Sequence, residues 1–561
     1  MVHRVEPLEY PRRPEQVSVF TRIKRKLSDC WDQSHIGHRS QYSIERLLAF
    51  RDYHQRTSIA RVICVCVLTP IPALLTAFSL DCIPLKPPAD GWQVNYAVWI
   101  RLFLGLFSAT VGVAFQVRAV IEPDTLSMTG VAAIALGTAM CSVSTLLGLA
   151  VIWRFPTPFG YILNIGPYVL FLSTFTILVI GPRVLQRSPV LREQINSQLL
   201  IIVSQGVVVG CFTIFSAVFN LLSGTQQTIF ILVMPLIKFV TKQNIANVAE
   251  SYHEYVGPVV VFSVDLFNVF YASICMQASK SIMTTVIIMA ADSFHLMLAL
   301  QAIFHQTRNT ATLPKPKSQS FIQELLSLLE KDVEVHPCGR RARLLAPFPL
   351  PLSDESRQVV MRFTRTGTFT NDTVINRRRS TKSNPGTNNS TNTATQNNQT
   401  APSSAMVPLG PLASNTQDNN DTTKATSRDI IVDGLHTLFH SEYILLAEYI
   451  EFIIPMLYAP YLVALFHLPI AAYYPSTASM TLHKLKHTVT SFLIYGTIEF
   501  AAFVALVVIL KRKFGFSPLY QLAFVLETHM FAVQGHLFVW TITILHLTLA
   551  HYGVDFNILT S

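Results

Sequence analysis

A run of about twenty apolar residues without central charge matches a helix crossing roughly 30 Å of hydrocarbon. Little else fits it, because a backbone in lipid must satisfy its own polar groups. This chain repeats that run over residues 59–81, 94–116, 128–152, 161–180, 199–222, 257–276, 282–304, 443–466, 487–510 and 520–549. A further run, 228–241 (TIFILVMPLIKFVT), is shorter, interrupted by Pro235 and carries Lys238, so it reads either as a span or as a re-entrant segment. The expected fold is an all-α, polytopic transmembrane helix bundle of about 11 spans, or 10 if 228–241 is re-entrant.

Charge is distributed to match. Only 14% of the 561 residues are charged, against about 25% in soluble domains. Residues 1–58 and 305–434 hold 45 charged side chains in 188 positions, whereas the other 373 positions hold 31. The reading is therefore a basic N-terminal segment (1–58), a first transmembrane block (59–304), a largely disordered hydrophilic loop (305–442) with a short helix at 318–334, a second block (443–549) and a tail (550–561). An ordinary soluble enzyme and a disulfide-rich secreted scaffold are both excluded. The eight cysteines are scattered without metal or disulfide spacing and serve as small apolar fillers.

The first 58 residues lack a continuous apolar core, so no cleavable signal is expected. Their 11 Lys and Arg residues place the N-terminus in the cytoplasm. With eleven spans the basic residues divide 23 inside to 5 outside once the ends of the long loop are counted, against 18 to 10 with ten spans. Eleven spans with a cytoplasmic loop is thus preferred. Five Asn-x-Ser/Thr triplets in that loop, at Asn371, Asn388, Asn389, Asn398 and Asn420, would suit a lumenal loop, but an Asn/Thr/Ser tract produces them by composition alone.

Around residues 17–31, Phe20, Ile23, Leu27 and Trp31 recur at helical spacing, with Arg22, Lys24, Arg25 and Lys26 between them. Such a basic amphipathic helix suits anionic lipid headgroups, or the protein's own aqueous face. Nucleic acid is not an expected partner. Ser380 follows Arg377–Arg379 and is a candidate phosphorylation site.

Nucleotide-binding and soluble catalytic motifs are missing, so neither a cofactor nor a resident metal is expected. The informative residues are ionisable groups inside the apolar runs: Asp265, Asp292, Glu499 and Glu527 lie deep, with Lys238 as their internal counter-charge and Arg101 near the start of its run. Each central acid costs about 2.5–3.5 kcal/mol on insertion scales, so these groups face a bundle interior or a wet cavity. Glu448 and Glu451 read as shallower and able to reach the headgroups. His295, three residues after Asp292, and His529 and His536, seven apart, are weaker candidates. Asp265 and Asp292 are 27 residues apart and Glu499 and Glu527 are 28 apart, which fits a 3+3 inverted repeat over 228–304 and 443–549.

The segments FSVDLFNVFY (262–271), CMQ (275–277), FSPLYQLAFVLE (516–527) and HYGVDF (551–556) resemble a family of uncharacterised multi-pass membrane proteins abundant in oomycetes. The resemblance implies a polytopic fold and a eukaryotic membrane, and no activity or site residue. Three functions follow from the residues. The first is a proton- or cation-coupled transporter or channel using the buried carboxyls and Lys238. The second is a non-catalytic membrane scaffold or signalling component working through the N-terminus and the loop. The third is an intramembrane metal enzyme on His295, His529 and His536. Substrate, oligomeric state and host membrane are not encoded legibly.

Overall fold

The computed structural model describes residues 39–121, 125–222, 224–278, 321–333, 343–348, 350–365 and 418–553, with scattered positions between 283 and 301. Every regular element among the described residues is helical. Helix α1 (Ile44–Arg56) precedes α2 (Ile59–Asp81), α3 (Tyr96–Val120), α4 (Met128–Ile152), α5 (Gly160–Ile180), α6 (Pro189–Leu221), α7 (Gly224–Val248) and α8 (Glu250–Gln277). From the hydrophilic loop come α9 (Phe321–Val333) and α10 (Asp354–Arg365). The second block holds α11 (Asp418–Phe466), α12 (Leu482–Phe514), α13 (Pro518–Thr528) and α14 (Met530–Leu547). Ten of these, all but α1, α9, α10 and α13, are long and apolar enough to cross a membrane.

The short run at 228–241 is part of the 25-residue α7, which has spanning length despite Pro235. Much of the run expected at 282–304, with Asp292 and His295, lies outside the described residues, as do Arg22, Lys24, Arg25, Lys26 and Ser380. Helix α11 extends well N-terminal of the apolar run at 443–466. One boundary differs from expectation. The last run divides at His529 into α13 and α14, where the backbone leaves helical geometry (φ −105°, ψ 30°).

Helix starts follow local chemistry. Ser43, Ser58, Ser127, Ser188 and Thr481 each accept a hydrogen bond from the amide three residues on, taking up one of the first-turn donors that a helix leaves unpaired. Gly515, at φ +71°, closes α12 just after Lys511, Arg512 and Lys513, whose charges complement the carbonyl end. At Gly112 and Gly535 two helices meet with no room for a side chain. A Cβ on Gly535 would stand 2.4 Å from the carbonyl oxygen of Gly112, and the reverse substitution 2.6 Å from that of Gly535. Small residues at such a crossing let α3 and α14 exchange dispersion contacts that lipid cannot supply.

The hydrophilic loop is where sequence and structure part most. The helix expected at 318–334 is α9, and Leu325 and Phe321 reach the backbone of α11 at Gly434. Residues 343–365, expected without fold, are laid along α1. The amides of Ile44 and Glu45 donate to the carbonyls of Arg343 and Leu344, both at 3.0 Å. The Glu45 carboxylate accepts from the amide of Ala346 at 2.9 Å, and that of Asp52 from Ser353 at 2.8 Å. Leu344, Phe348, Val360 and Phe363 are buried, as are Tyr42, Ile44, Leu47 and Phe50. Neither segment carries enough apolar surface to fold alone, and each supplies what the other lacks. Composition averages over such a match and misses it.

Candidate functional site

Four helices bring ionisable side chains to one level of the bundle. Lys238 on α7, Asp265 on α8 and Glu499 on α12 each lie within about three residues of the middle of their span, and Glu451 on α11 meets them there. Lys238 Nζ is 3.1 Å from Glu451 Oε1 and 3.5 Å from Asp265 Oδ1. Lys242, one turn further along α7, approaches Asp265 Oδ1 to 2.7 Å and donates to the Tyr443 hydroxyl at 3.0 Å. Carboxylate oxygens of Glu448, Glu451 and Glu499 lie within 4.8 Å of one another, and all three residues are buried.

Local backbone features surround the cluster. Val261–Asp265 forms a π-helical turn that ends on Asp265; such a turn adds a residue to the helix and redirects the side chains at its end. On α11, Pro455 follows Glu451 by four positions and has no amide to give the Glu451 carbonyl. Broken helical bonding at membrane depth is tolerated where it faces protein or a wet cavity.

Electrostatics then sets what the cluster can do. Asp265 is fully buried and neither of its oxygens accepts a hydrogen bond of good geometry, so the two ammonium groups hold it by charge. Asp265, Glu448, Glu451 and Glu499 together face Lys238 and Lys242. Among the described residues the set holds four carboxyls and two ammonium groups. Like charges this close oppose ionising together. Three carboxylates within reach of one point are also a hard-oxygen donor set of the kind divalent cations take.

The sequence candidates divide accordingly. Asp265, Glu499 and Lys238 come together. Glu448 and Glu451, expected nearer the headgroups, join this group, with carboxylate oxygens within 4.8 Å of that of Glu499. Glu527 stands elsewhere, on α13, paired with Arg61 and accepting from the Tyr53 hydroxyl at 2.8 Å. His529 lies 3.0 Å from Arg46 Nη1, and His536 Nδ1 is 3.3 Å from Gln205 Nε2, so the two histidines have separate partners and form no common metal site among the described residues. Lys242 and Tyr443 were missed; the i, i+4 spacing of the two lysines was the available signal. A second buried group forms around Arg101, whose partner Asp81 was missed. Arg101 Nη2 meets Asp81 Oδ1 at 2.7 Å, and the hydroxyls of Tyr461 and Tyr474 donate to the same carboxylate at 2.5 and 2.8 Å. Both oxygens of that carboxylate are engaged, and His546 Nε2 on α14 lies 3.6 Å from Oδ1, so the group ties α2, α3, α11 and α14 together.

Outside the spans, Asp52 titrates under opposing influences. Burial raises its pKa, but hydrogen bonds from Ser353 and Ser356, with the Arg51 charge, outweigh it and hold the carboxyl below the usual range.

Ten apolar helices and a buried ionic centre among them are the features of a multi-pass membrane protein. No protein-family model, curated protein or solved structure matches the chain, so its chemistry is read from its own residues.

Proposed function

We propose that this is a proton- or cation-coupled transporter or channel whose coupling centre is Lys238, Lys242, Asp265, Glu448, Glu451 and Glu499. The observation that carries the reading is the convergence of these buried groups from four helices. A purely structural centre would balance its charges, as Arg101 and Asp81 do. Among the described residues four carboxyls meet two lysines here, and binding and release of a proton or cation by this set changes the force between α7, α8, α11 and α12. The pairing of α7 and α8 with α11 and α12 at one depth also supports a two-unit repeat. The distribution of Lys and Arg supports a cytoplasmic N-terminal face carrying α1, α9 and α10.

The test is flux in vesicles containing the purified chain, with a trapped pH-sensitive dye and imposed gradients of H⁺, Na⁺, K⁺, Mg²⁺ and Ca²⁺. Flux above protein-free vesicles is expected for at least one ion. Glu451→Gln and Glu499→Gln should each lower it about tenfold or more, the scale of one lost charge-assisted contact, while Glu527→Gln changes it less than about twofold. No flux of any of these ions, or equal flux in all variants, overturns the reading.

The folded contact between α1 and residues 343–365 favours a second reading, a scaffold or signalling component that displays this surface. Deleting residues 343–365 would then abolish partner capture without altering flux.

A further inference from the structure

Residues 39–46 meet the bundle at the end where α7 stops and α8 starts, and Tyr42, Ser43 and Ile44 are fully buried there. Successive residues tie down different helices. The Arg39 guanidinium donates to Asn247 on α7 at 2.5 Å and to Gln243 on the same helix. The Ser40 carbonyl lies 2.8 Å from His436 Nδ1 on α11, and the Tyr42 hydroxyl donates to Glu442, also on α11. The amide and hydroxyl of Ser43 donate to the Glu254 carboxylate on α8 at 2.6 and 3.0 Å. Two of these anchors adjoin the ionic centre. Gln243 directly follows Lys242, and Glu442 directly precedes Tyr443, whose hydroxyl accepts from Lys242. One short segment therefore holds three of the four helices that carry the centre.

Residues 343–348 fasten that segment in place. Arg343 Nη2 donates to the Gln41 carbonyl at 2.8 Å and to Ser40 Oγ at 3.3 Å, and it faces Glu254 at 3.9 Å. Phe348 rests on Tyr252 and Tyr255 of α8, with ring centroids 5.9 and 5.3 Å apart. The amides of Ile44, Glu45 and Ala346 add the three bonds between α1 and this segment. With both segments seated, Asp265, Glu448, Glu451 and Glu499 are each no more than 5% exposed. A proton or cation reaches such carboxyls only along a wet path. Residues 343–348 belong to no spanning helix and are held by a handful of hydrogen bonds and one aromatic contact, so they open at lower free energy than the packed bundle. We propose that residues 39–46 plug one end of the ionic centre and that 343–348 is the strap that keeps the plug seated. The inference rests on the coupling reading of that centre. Undocking the strap frees α7, α8 and α11 to part at this end and admits water to the carboxyls, and docking closes the centre again.

The test uses the full chain in phosphatidylcholine nanodiscs, open to reagent on both faces. A water-soluble carbodiimide with glycinamide modifies the carboxyls that water reaches, and peptide mass spectrometry reads each one. Arg343→Gln removes the guanidinium, and Ala346→Pro removes the amide that donates to Glu45. Each variant is expected to label Asp265, Glu448, Glu451 and Glu499 about tenfold more than the native chain, the shift that one lost charge-assisted hydrogen bond makes in an opening equilibrium. Asp81, buried beside Arg101 in the separate group, should label no more than before. Faster hydrogen exchange of the Ile44 and Glu45 amides, which donate to the strap, reports its release. Release without labelling of the four carboxyls would show that the strap does not control access to them. An equal rise at Asp81 would show a loosened bundle, and unchanged exchange in both variants would show that these contacts do not hold the strap. Each of these outcomes overturns the proposal. Ion flux, measured in vesicles of the same variants, should rise with the labelling, and flux that is present but unmoved by it also overturns the proposal. Labelling that rises with no ion flux in any form supports the strap and overturns the coupling reading instead.

Discussion

Lys242 Nζ lies 2.7 Å from Asp265 Oδ1, with the carboxylate fully buried between α7 and α8. A buried charge loses most of its hydration, so its partner's removal costs more than the pair's formation contributes. Asp265→Asn should therefore destabilise the protein by about 3–5 kcal/mol. Adding Lys242→Met should restore part of that loss, since one orphaned ammonium group disappears with it. Chemical denaturation in detergent micelles measures both. A double variant no more stable than Asp265→Asn would show that the two residues are not coupled.

The same asymmetry applies to Arg46 and Glu442, 2.7 Å apart with both side chains 1% exposed. Glu442→Gln alone should cost about 3–5 kcal/mol, whereas Arg46→Met with Glu442→Leu should cost clearly less, because both charges of the pair leave together. Unfolding midpoints of the single and double variants decide between these outcomes.

Gly535→Ala should separate α14 from α3, since its Cβ would meet a backbone oxygen at 2.4 Å and backbone cannot rotate away. Overpacking of this kind costs about 1–3 kcal/mol. Gly148→Ala, in a helix with nothing within 4 Å of the added carbon, is the control and should be neutral or stabilising. Equal thermal midpoints for the two variants would show that the close approach is dispensable.

Docking of α10 on α1 should weaken in acid. The folded-state pKa of Asp52 is depressed by Ser353, Ser356 and Arg51, so its contribution is present above the unfolded value of about 3.9 and is lost as pH falls through the folded value. The protection of the Ser353 and Ser356 amides, measured as exchange relative to the intrinsic rate at each pH, should fall across that window. Asp52→Asn should remove the pH dependence; if exchange keeps the same pH profile in the variant, another group is responsible.

Apolar runs were legible because a membrane helix is a local object: hydrophobic length, a capping Ser or Thr and a closing glycine all lie within a few residues of one another. That is why α2, α4 and α12 sit close to where the sequence places them. Charged residues inside those runs were equally visible, because each violates the composition around it. Which of them meet was not. Glu499 and Glu527 look alike as acids in apolar helices, yet one joins Glu448 and Glu451 while the other pairs with Arg61 at a helix end. Lys242 was not singled out at all, and only the packing of α8 puts Asp265 beside it.

The sequence by itself determined a helical membrane bundle and the short roster of ionisable groups that a membrane makes costly. Tertiary structure decided the grouping: four helices set Lys238, Lys242, Asp265 and three glutamates at one depth, and the hydrophilic segment 343–365 found its fold on α1. Hydrophobic length acts along the chain, whereas charge compensation acts through space between residues hundreds of positions apart. Only the second depends on how the helices are arranged.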